Sequence, residues 1–157
     1  MVVEVALAML QREGRWLMQL RDEIPSIVAP GCWGLFGGHL DPGETPEQGL
    51  RRELLEEISW QPKALEPVMV HHIHWRTAHV FRAELSVPLE QLQLLEGQDM
   101  ALVRAEDLLL GSIWSDRLGG HRPLADGLLE VMQHLLAGQA ARRAGLSTTK
   151  LGALTSD

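Results

Sequence analysis

The sequence predicts a single-domain mixed α/β sandwich, in which helices cover the two faces of one β-sheet. Short segments with the composition of strands outnumber the long helical segments, and they recur as far as about residue 104. Two segments with helical spacing, residues 46–58 and 124–136, fall late enough to cover both faces of that sheet. A chain of 157 residues with 45% hydrophobic content is also long enough to bury one core.

Alternating apolar residues and turn residues delimit the predicted strands. Val3, Val5 and Leu7 alternate, and Glu-Gly-Arg at 13–15 supplies a turn into the second strand. The strand segments are 3–7, 16–21, 33–39, 67–75, 79–87 and 99–108, of which the last ends in a helical turn. We expect 67–75 and 79–87 to be joined tightly around Arg76 and Thr77, and we expect loops at 22–32 and 115–123.

The C-terminal part of the chain divides into a helix and a tail. Leucines and a methionine repeat at helical spacing between 124 and 136, whereas residues 138–157 are small, polar and slightly basic without periodicity. We therefore predict a domain of residues 1–137, followed by a flexible or loosely packed tail of residues 138–157.

Charge and cysteine content narrow the class of protein. The chain has 21 acidic and 14 basic residues, a net charge of −7, which argues against a broad DNA-binding surface. Its single cysteine, Cys32, cannot form an internal disulfide, and a reducing compartment is the simpler assumption. The apolar run at 1–10 is short, lacks a basic leader and is interrupted by Glu4, so it predicts a strand. We expect a cytoplasmic protein, monomer or homodimer, without a membrane partner.

The segment from 45 to 58 has the local signals of a well-capped helix. Thr45 is a good N-cap residue, Pro46 suits the first helical position, and Gln48 completes a capping box. Three apolar residues then share one stripe, while three glutamates fall within an arc of about 100° beside it. The stripe is Leu50, Leu54 and Ile58, and the arc is Glu53, Glu56 and Glu57.

Two interpretations of the acidic arc stay open from the residues alone. It is either a solvated face of the helix or a binding site for a cation that neutralises the like charges. Glu44 just before the helix, the bare backbone of Gly37 and Gly38 at a strand end, and Arg52 beside the arc favour the cation. Hard carboxylate and carbonyl oxygens at this density suit Mg²⁺, with Mn²⁺ as the alternative.

A known signature coincides with this segment. Gly38, five residues, Glu44, seven residues and then Arg-Glu-Leu-Leu-Glu-Glu at 52–57 resembles the Nudix box, the signature of the Nudix hydrolases. Arg21, "CWGLFGG", "TPEQ" and "LLEGQ" at 94–98 also look like this family, the last two like its MutT-like housecleaning branch. The resemblance covers residues 2–136 and implies an α/β/α sandwich with a mixed β-sheet between helices. Ser59 and Trp60 depart from the glycine and aliphatic residue that normally end the box, and a serine in that left-handed cap costs about 1 kcal/mol.

The resemblance implies an activity and a set of site residues. Nudix hydrolases cut the diphosphate of a nucleoside diphosphate linked to another group, by attack of water on phosphorus. The implied metal ligands are Glu53, Glu56, Glu57, Glu96 and a carbonyl of Gly37 or Gly38. The implied general base is Glu53 or Glu96, and Arg52 is the implied catalytic residue that orients the carboxylates. The implied substrate contacts are Arg21, Phe36, Glu44 and His121. An ordinary loop glutamate is the alternative for Glu96.

The substrate within this class is less determined. The chain has no tyrosine and lacks the proline that ADP-ribose branches carry past the box, which disfavours dinucleoside-polyphosphate and ADP-ribose substrates. The oxidised-guanine branch is favoured by "TPEQ" and "EGQ" but reads its base with an asparagine, which this chain lacks, so His121, Arg122 or Asp126 would have to take that role. Trp33 or Trp114 could stack on the base. The alternative classes of protein are a ligand-binding or regulatory module without turnover, a Nudix-fold isomerase and an RNA-end-processing hydrolase. A zinc site on the histidines at 71–79 is not predicted, because no third ligand has convincing spacing.

Overall fold

A computed structural model describes residues 2–73 and 75–145 of the chain; the side chains of 73, 142 and 143 are outside that description. The strands are β1 Val3–Arg12, β2 Arg15–Leu20, β3 Trp33–Gly34, β4 Phe36–His39, β5 Glu66–Ile73, β6 Arg76–Glu84, β7 Asp99–Arg104, β8 Ser112–Ser115 and β9 Gly120–Pro123. The helices are α1 Pro46–Ile58, α2 Ala105–Leu108 and α3 Leu128–Arg143, with a 3₁₀ turn at Leu89–Gln91. No helix in this part of the chain has the length and apolarity needed to cross a bilayer.

Seven strands form the mixed sheet that the sequence predicts. Its order is β3-β2-β1-β6-β5, with β4 also paired to β1 and β7 to β2. β1 and β6 are parallel, and the other pairs are antiparallel. α1 packs on one face and α3 on the other, so the predicted sandwich with a sheet between helices is confirmed.

Alternation along β1 assigns its side chains to the two faces. Ala6, Ala8 and Leu10 pack with the α1 stripe, while Met9 packs with α3 and β3. The first turn is as predicted, because Glu13 and Gly14 have φ of 51° and 75°, the left-handed pair of a tight two-residue hairpin. β1 itself runs five residues beyond the predicted end at residue 7.

Helix α1 begins and ends as the sequence indicates. Thr45 Oγ1 accepts the Gln48 N–H at 3.2 Å, and Gln48 Oε1 accepts the Thr45 N–H at 3.0 Å, which completes the capping box. At the other end Ser59 adopts φ 54° and donates its N–H to Leu55 O at 3.1 Å. The serine therefore takes the left-handed conformation that glycine normally supplies there.

The connection between β5 and β6 lies earlier than predicted. Arg76 and Thr77 belong to β6 and pair with Ile73 and His72, so both lie in the strand and not in the connection. A β-branched threonine fits a pleated strand better than a tight turn, and this preference prevails here.

The C-terminal region departs from the prediction in two places. β8 and β9 form a small hairpin over residues 112–123, where a loop at 115–123 was predicted, with Gly119 at φ 66° in its turn. α3 begins at Leu128 because the segment before it is tied to β3, where Ala125 N–H donates to Trp33 O at 2.9 Å. The helix then continues through residues 138–143 with Ala141 buried, so the tail predicted to start at 138 begins as helix; residues 146–157 lie outside the described residues.

Candidate active site

A carboxylate buried between α1 and the sheet forms the centre of the site. Glu57, one of the predicted acidic residues, is only 1% exposed. Its Oε1 accepts the Gly37 N–H at 3.1 Å and its Oε2 accepts Gln19 Nε2 at 3.2 Å. Burial, together with the negative charges of Glu96 and Glu53, raises the pKa of Glu57 to about 9. A carboxyl group held this way favours a proton or a cation over the bare anion.

Two glycines at the end of β4 allow helix and strand to approach closely. A Cβ on Gly38 would lie 2.7 Å from the Glu53 carboxyl carbon, so a larger residue there would push that carboxylate aside. Gly37 has φ 138°, and a Cβ there would collide with the backbone of Ala6. The close approach predicted for this strand end is therefore used by the protein's own carboxylate, which rests against the Gly38 backbone.

Arg52 holds the surrounding acidic groups in place. Its Nε and Nη2 form a fork on the two oxygens of Glu44 at 2.8 and 2.9 Å, and its Nη1 donates to Glu53 Oε1 at 3.0 Å. Its Nη2 also donates to His39 O at 3.0 Å, which ties α1 to the end of β4. Hydrogen bonds from Arg52 and from the Asp41 backbone lower the pKa of Glu44 to about 2. Arg52 therefore stands where a residue that orients carboxylates belongs.

The remaining acidic residue of the helix lies at the edge of the group. The Glu56 side chain is mostly exposed and reaches Arg52 only at 3.4 Å. Within residues 2–73 and 75–145, no three histidine, cysteine or acidic side chains already stand at metal-binding spacing. Hydrogen bonds to Arg52, Gln19 and the Gly37 backbone hold the carboxylates in these orientations.

The loop at 93–98, which carries Glu96, is hydrogen-bonded to both sides of the site. Leu95 N–H donates to Glu57 O at 2.8 Å, and Gln98 N–H donates to Leu20 O at 2.7 Å. Gln19 Nε2 bridges the Glu57 carboxylate to Glu96 O, 3.0 Å away. Burial and the negative charge of Glu53 raise the pKa of Glu96, so its carboxyl group lies within electrostatic reach of the helix cluster. Sequence reasoning missed Gln19, although a lone polar residue within the apolar strand "WLMQL" was the available signal.

Two residues predicted to contact substrate have other tasks in the structure. Phe36 is fully buried in the core under α1, so the prediction that it contacts the substrate is wrong. Both carboxylate oxygens of Glu44 are occupied by Arg52 and by the Asp41 N–H at 2.6 Å. Glu44 thus positions Arg52, and a direct substrate contact would require it to give up these bonds.

Arg21 and His121 occupy very different surroundings. Arg21 follows β2, donates its Nε to Val28 O at 2.7 Å, and its positive charge acts on Glu96. Its charge therefore reaches the Glu96 carboxylate, and its role as a phosphate contact stays a prediction. His121 lies on the β8–β9 hairpin with its ring 5.3 Å from that of Trp114, and its role in base recognition stays a prediction.

The other aromatic and histidine candidates are distributed as follows. Trp33 is fully buried and donates its Nε1 to Ile113 O at 3.1 Å, so it cannot stack on a ligand, whereas Trp114 is exposed. His72 pairs with Thr77 and His79 with Glu4, each at 3.2 Å. The predicted absence of a zinc site stays a prediction, because His74 lies outside the described residues.

The fold and the glycine, arginine and glutamate arrangement define an enzyme-like site between a capped helix and the end of a strand. The model of the NUDIX domain matches residues 2–119, three quarters of the chain. The chain belongs to the Nudix hydrolase family.

Individual relatives match shorter parts of the sequence. The nucleoside triphosphatase NudI of Enterobacter sp. (strain 638) is 58% identical over 31 residues, which cover 20% of this chain and 22% of that protein. NudI of Escherichia coli O1:K1 / APEC is 41% identical over 54 residues, 34% of this chain and 37% of that protein. These matches span between about a fifth and two fifths of the relatives' lengths.

Solved structures match over most of the chain. The solution structure of the E. coli ORF135 protein has a TM-score of 0.66 and 26% identity, covering 90% of this chain and 93% of that one. A MutT Nudix hydrolase from Burkholderia pseudomallei has a TM-score of 0.66 and 21% identity, with 85% and 97% covered. The Nudix domain of Shewanella oneidensis NrtR, crystallised with ADP ribose, has a TM-score of 0.64 and 22% identity, with 92% and 89% covered. At 21% and 22% identity, the last two likenesses establish the shared fold.

Proposed function

We propose that the chain is a metal-dependent pyrophosphohydrolase that cleaves the diphosphate linkage of a nucleoside diphosphate joined to another group. The observation that carries the proposal is the buried Glu57 carboxylate beside Glu53 and Glu96, against the bare backbone of Gly37 and Gly38. The nucleoside triphosphatase relatives make nucleoside triphosphates the first substrates to test, ahead of nucleotide sugars.

The donor set fits a hard divalent cation, Mg²⁺ or Mn²⁺. Glu53, Glu56, Glu57 and Glu96 would hold it together with a carbonyl of Gly37 or Gly38, since all of these offer oxygen. The fit rests on the charges in the structure, because like charges that raise the pKa of a buried carboxyl group are relieved when a cation binds. When bound, the metal supplies positive charge to the phosphoryl oxygens of the substrate.

We assign the general base to Glu96, with Glu53 as the alternative. Glu53 is held by Arg52 at 3.0 Å and Glu57 by Gln19 and Gly37, whereas the Glu96 carboxylate has no hydrogen-bond partner among the described residues. It is therefore free to accept a proton from water. The water oxygen forms a bond to phosphorus, the bridging P–O bond breaks, and the departing phosphate keeps the electron pair.

Arg21 provides the complementary charge on the loop side of the site. It lies next to Glu96 and forms no ion pair within the part of the chain that the structure describes. We assign it to a non-bridging oxygen of the diphosphate, which a guanidinium group binds with two parallel hydrogen bonds.

A phosphate-release screen tests the function. Purified protein is incubated with nucleoside triphosphates, nucleotide sugars and dinucleotides, in Mg²⁺, in Mn²⁺ and in EDTA. We expect release of pyrophosphate or phosphate that EDTA abolishes. Full activity in EDTA would show that hydrolysis does not require a metal. If no substrate is turned over, the alternative of a ligand-binding module without turnover is favoured.

The base is tested by a matched pair of variants. Glu96→Gln should lower kcat by about 10²- to 10⁴-fold with little change in KM, and should alter the acidic limb of the pH–rate profile. Glu90→Gln, an exposed glutamate six residues earlier, should leave kcat unchanged. If the kcat of Glu96→Gln stays within a factor of about three of the parent's, the general base is Glu53.

A further inference from the structure

Strand β2 carries a buried polar side chain among apolar ones. Gln19 is 2% exposed, and its neighbours along the strand, Met18 and Leu20, are fully buried hydrophobic residues. Leu17, two positions earlier and on the same face as Gln19, packs in the core under α1. Burying an amide group costs free energy unless its hydrogen bonds are satisfied, so the partners of Gln19 are the first clue to its role.

Both partners of the Gln19 amide are acceptors. Its Nε2 donates to Glu57 Oε2 at 3.2 Å and to the main-chain oxygen of Glu96 at 3.0 Å. An amide NH₂ group has two hydrogens, so these two bonds use its whole donor capacity. They also determine how the amide is turned, because its own oxygen would repel either partner.

The two bonds close a ring between helix α1 and the loop at 93–98. The backbone oxygen of Glu57 accepts the Leu95 N–H at 2.8 Å, and its side chain is linked to the next loop residue, Glu96, through Gln19. Within residues 2–73 and 75–145, Gln19 supplies the only hydrogen bond to Glu96. The backbone from which the Glu96 side chain projects is therefore held relative to Glu57 by this amide and by the bond at Leu95.

Gly97 allows the loop to pass close to this amide. A Cβ on Gly97 would lie 3.0 Å from Gln19 Cγ and 3.2 Å from its Nε2, so the loop crosses directly over the Gln19 side chain. Just beyond it, the Gln98 N–H donates to Leu20 O at 2.7 Å. The loop is thus held on both sides of the point where Gln19 contacts it.

A neutral side chain suits this position better than a charged one. A lysine can also donate to both oxygens, but its positive charge would neutralise the Glu57 carboxylate and compete with a cation for it. A glutamate has no hydrogen to donate when it is ionised, and an apolar side chain would leave both oxygens without this partner. Glutamine holds both groups and leaves the negative charge of Glu57 available.

We propose that Gln19 is a positioning residue, which holds the Glu96 main chain against the buried Glu57 carboxylate and so sets the separation of the two acidic side chains. The inference rests on the proposed function, in which Glu96 is the general base and Glu57 a metal ligand. Gln19 acts through these two residues and contacts neither substrate nor metal. Its removal should therefore loosen the loop, and slower turnover should follow from that.

Hydrogen exchange in the loop tests the positioning in the absence of substrate and metal. The amides of Leu95 and Gly97, on either side of the proposed base, are followed in EDTA for the parent, Gln19→Met and Gln11→Met. Gln11 is the matched control: it is also a strand glutamine with a side-chain hydrogen bond, to Gln139 at 3.3 Å, but it lies next to the β1–β2 turn. We expect exchange about fivefold faster or more in Gln19→Met and parental exchange in Gln11→Met.

Kinetics and metal binding complete the test. Gln19→Met should lower kcat by about tenfold or more with little change in KM, whereas Gln11→Met should keep the parental kcat. Gln19→Lys should keep the slow exchange but weaken Mn²⁺ binding by about tenfold or more in calorimetry. If Gln19→Met does not fold, Gln19→Asn should show the faster exchange in its place, because its amide is one methylene shorter and cannot reach both oxygens.

The outcomes separate this inference from the proposed function. Faster loop exchange in Gln19→Met supports positioning even if no substrate is turned over, a result that would count against the proposed function alone. Parental exchange in both Gln19→Met and Gln19→Asn would overturn the inference, as would a parental kcat in Gln19→Met. Parental Mn²⁺ affinity in Gln19→Lys would overturn the requirement for a neutral donor.

Discussion

Replacing Glu57 by glutamine tests how much stability the protein loses by burying an ionised carboxyl group, and how far turnover depends on that group. The perturbation removes a charge and keeps the shape of a side chain that is 1% exposed. In the metal-free protein, the folded state raises the pKa of Glu57 from an ordinary value of 4.5 to about 9. The folded state therefore binds more protons than the unfolded state between these two values, and stability falls as the pH rises through that window.

The magnitude follows from the two pKa values. A pH of 7 lies about 2.5 units above the ordinary pKa of the group, so at this pH its burial destabilises the folded state by about 3 kcal/mol. Glutamine avoids this cost, but its NH₂ would face Gln19 Nε2, where Glu57 Oε2 now accepts at 3.2 Å. Losing that hydrogen bond costs about 1 kcal/mol, which reduces the stability that the variant gains. The net gain is about 2 kcal/mol at pH 7 and close to zero near pH 5.

Thermal unfolding in EDTA at several pH values measures this difference. Glu57→Gln should raise Tm by roughly 4–8 °C at pH 7 and by almost nothing at pH 5. The same variant should lose at least about 100-fold in turnover, because it removes a proposed metal ligand. Glu47→Gln on the exposed start of α1 is the matched control and should change neither quantity. A variant less stable than the parent at pH 8, or a gain that does not vary with pH, would refute the reasoning.

Three further predictions concern the framework around the site. Leu54→Ala should cost about 2–5 kcal/mol of unfolding free energy because Leu54 is fully buried, whereas Leu55→Ala, at 46% exposure on the same helix, should cost under about 1 kcal/mol in denaturant titrations. Arg52→Lys should lower kcat by about tenfold or more, because lysine cannot form the fork on Glu44, and equal kcat would contradict a positioning role. Gly97→Ala should destabilise by about 1–3 kcal/mol and slow turnover, since φ is 102° and the new Cβ would meet a backbone carbonyl of β2 at 2.9 Å; unchanged Tm and kcat would contradict this.

Local chemistry accounts for what the sequence could predict. The cap at Thr45 and the stripe ending at Ile58 depend on neighbours one to four residues apart, so spacing alone determines them. The left-handed Ser59 is similar, because the helix must end there whichever residue occupies the cap. That one sheet lies between helices also followed from the number and order of the strand segments, whereas its mixed pairing was implied by the resemblance to the Nudix hydrolases.

The features that sequence missed depend on contacts between distant segments. Gln19 and Glu57 are 38 positions apart, and only the packing of β2 under α1 brings them together. Phe36 resembles a ligand contact because it precedes two glycines, but strand alternation turns it toward the α1 core. The β8–β9 hairpin escaped prediction because each of its strands has only four residues, too few to show a period.

The parallel pairing of β1 with β6 has a consequence for synthesis on the ribosome. Val3 pairs with Arg76 and Gln11 with Glu84, so one edge of the central strand lacks its partner until some seventy further residues have been translated. At about 5–20 residues per second, that delay is roughly 4–14 s. During this interval an apolar strand exposes its edge to other nascent chains, which makes it a natural point for chaperone binding and for aggregation when translation stalls between β4 and β6.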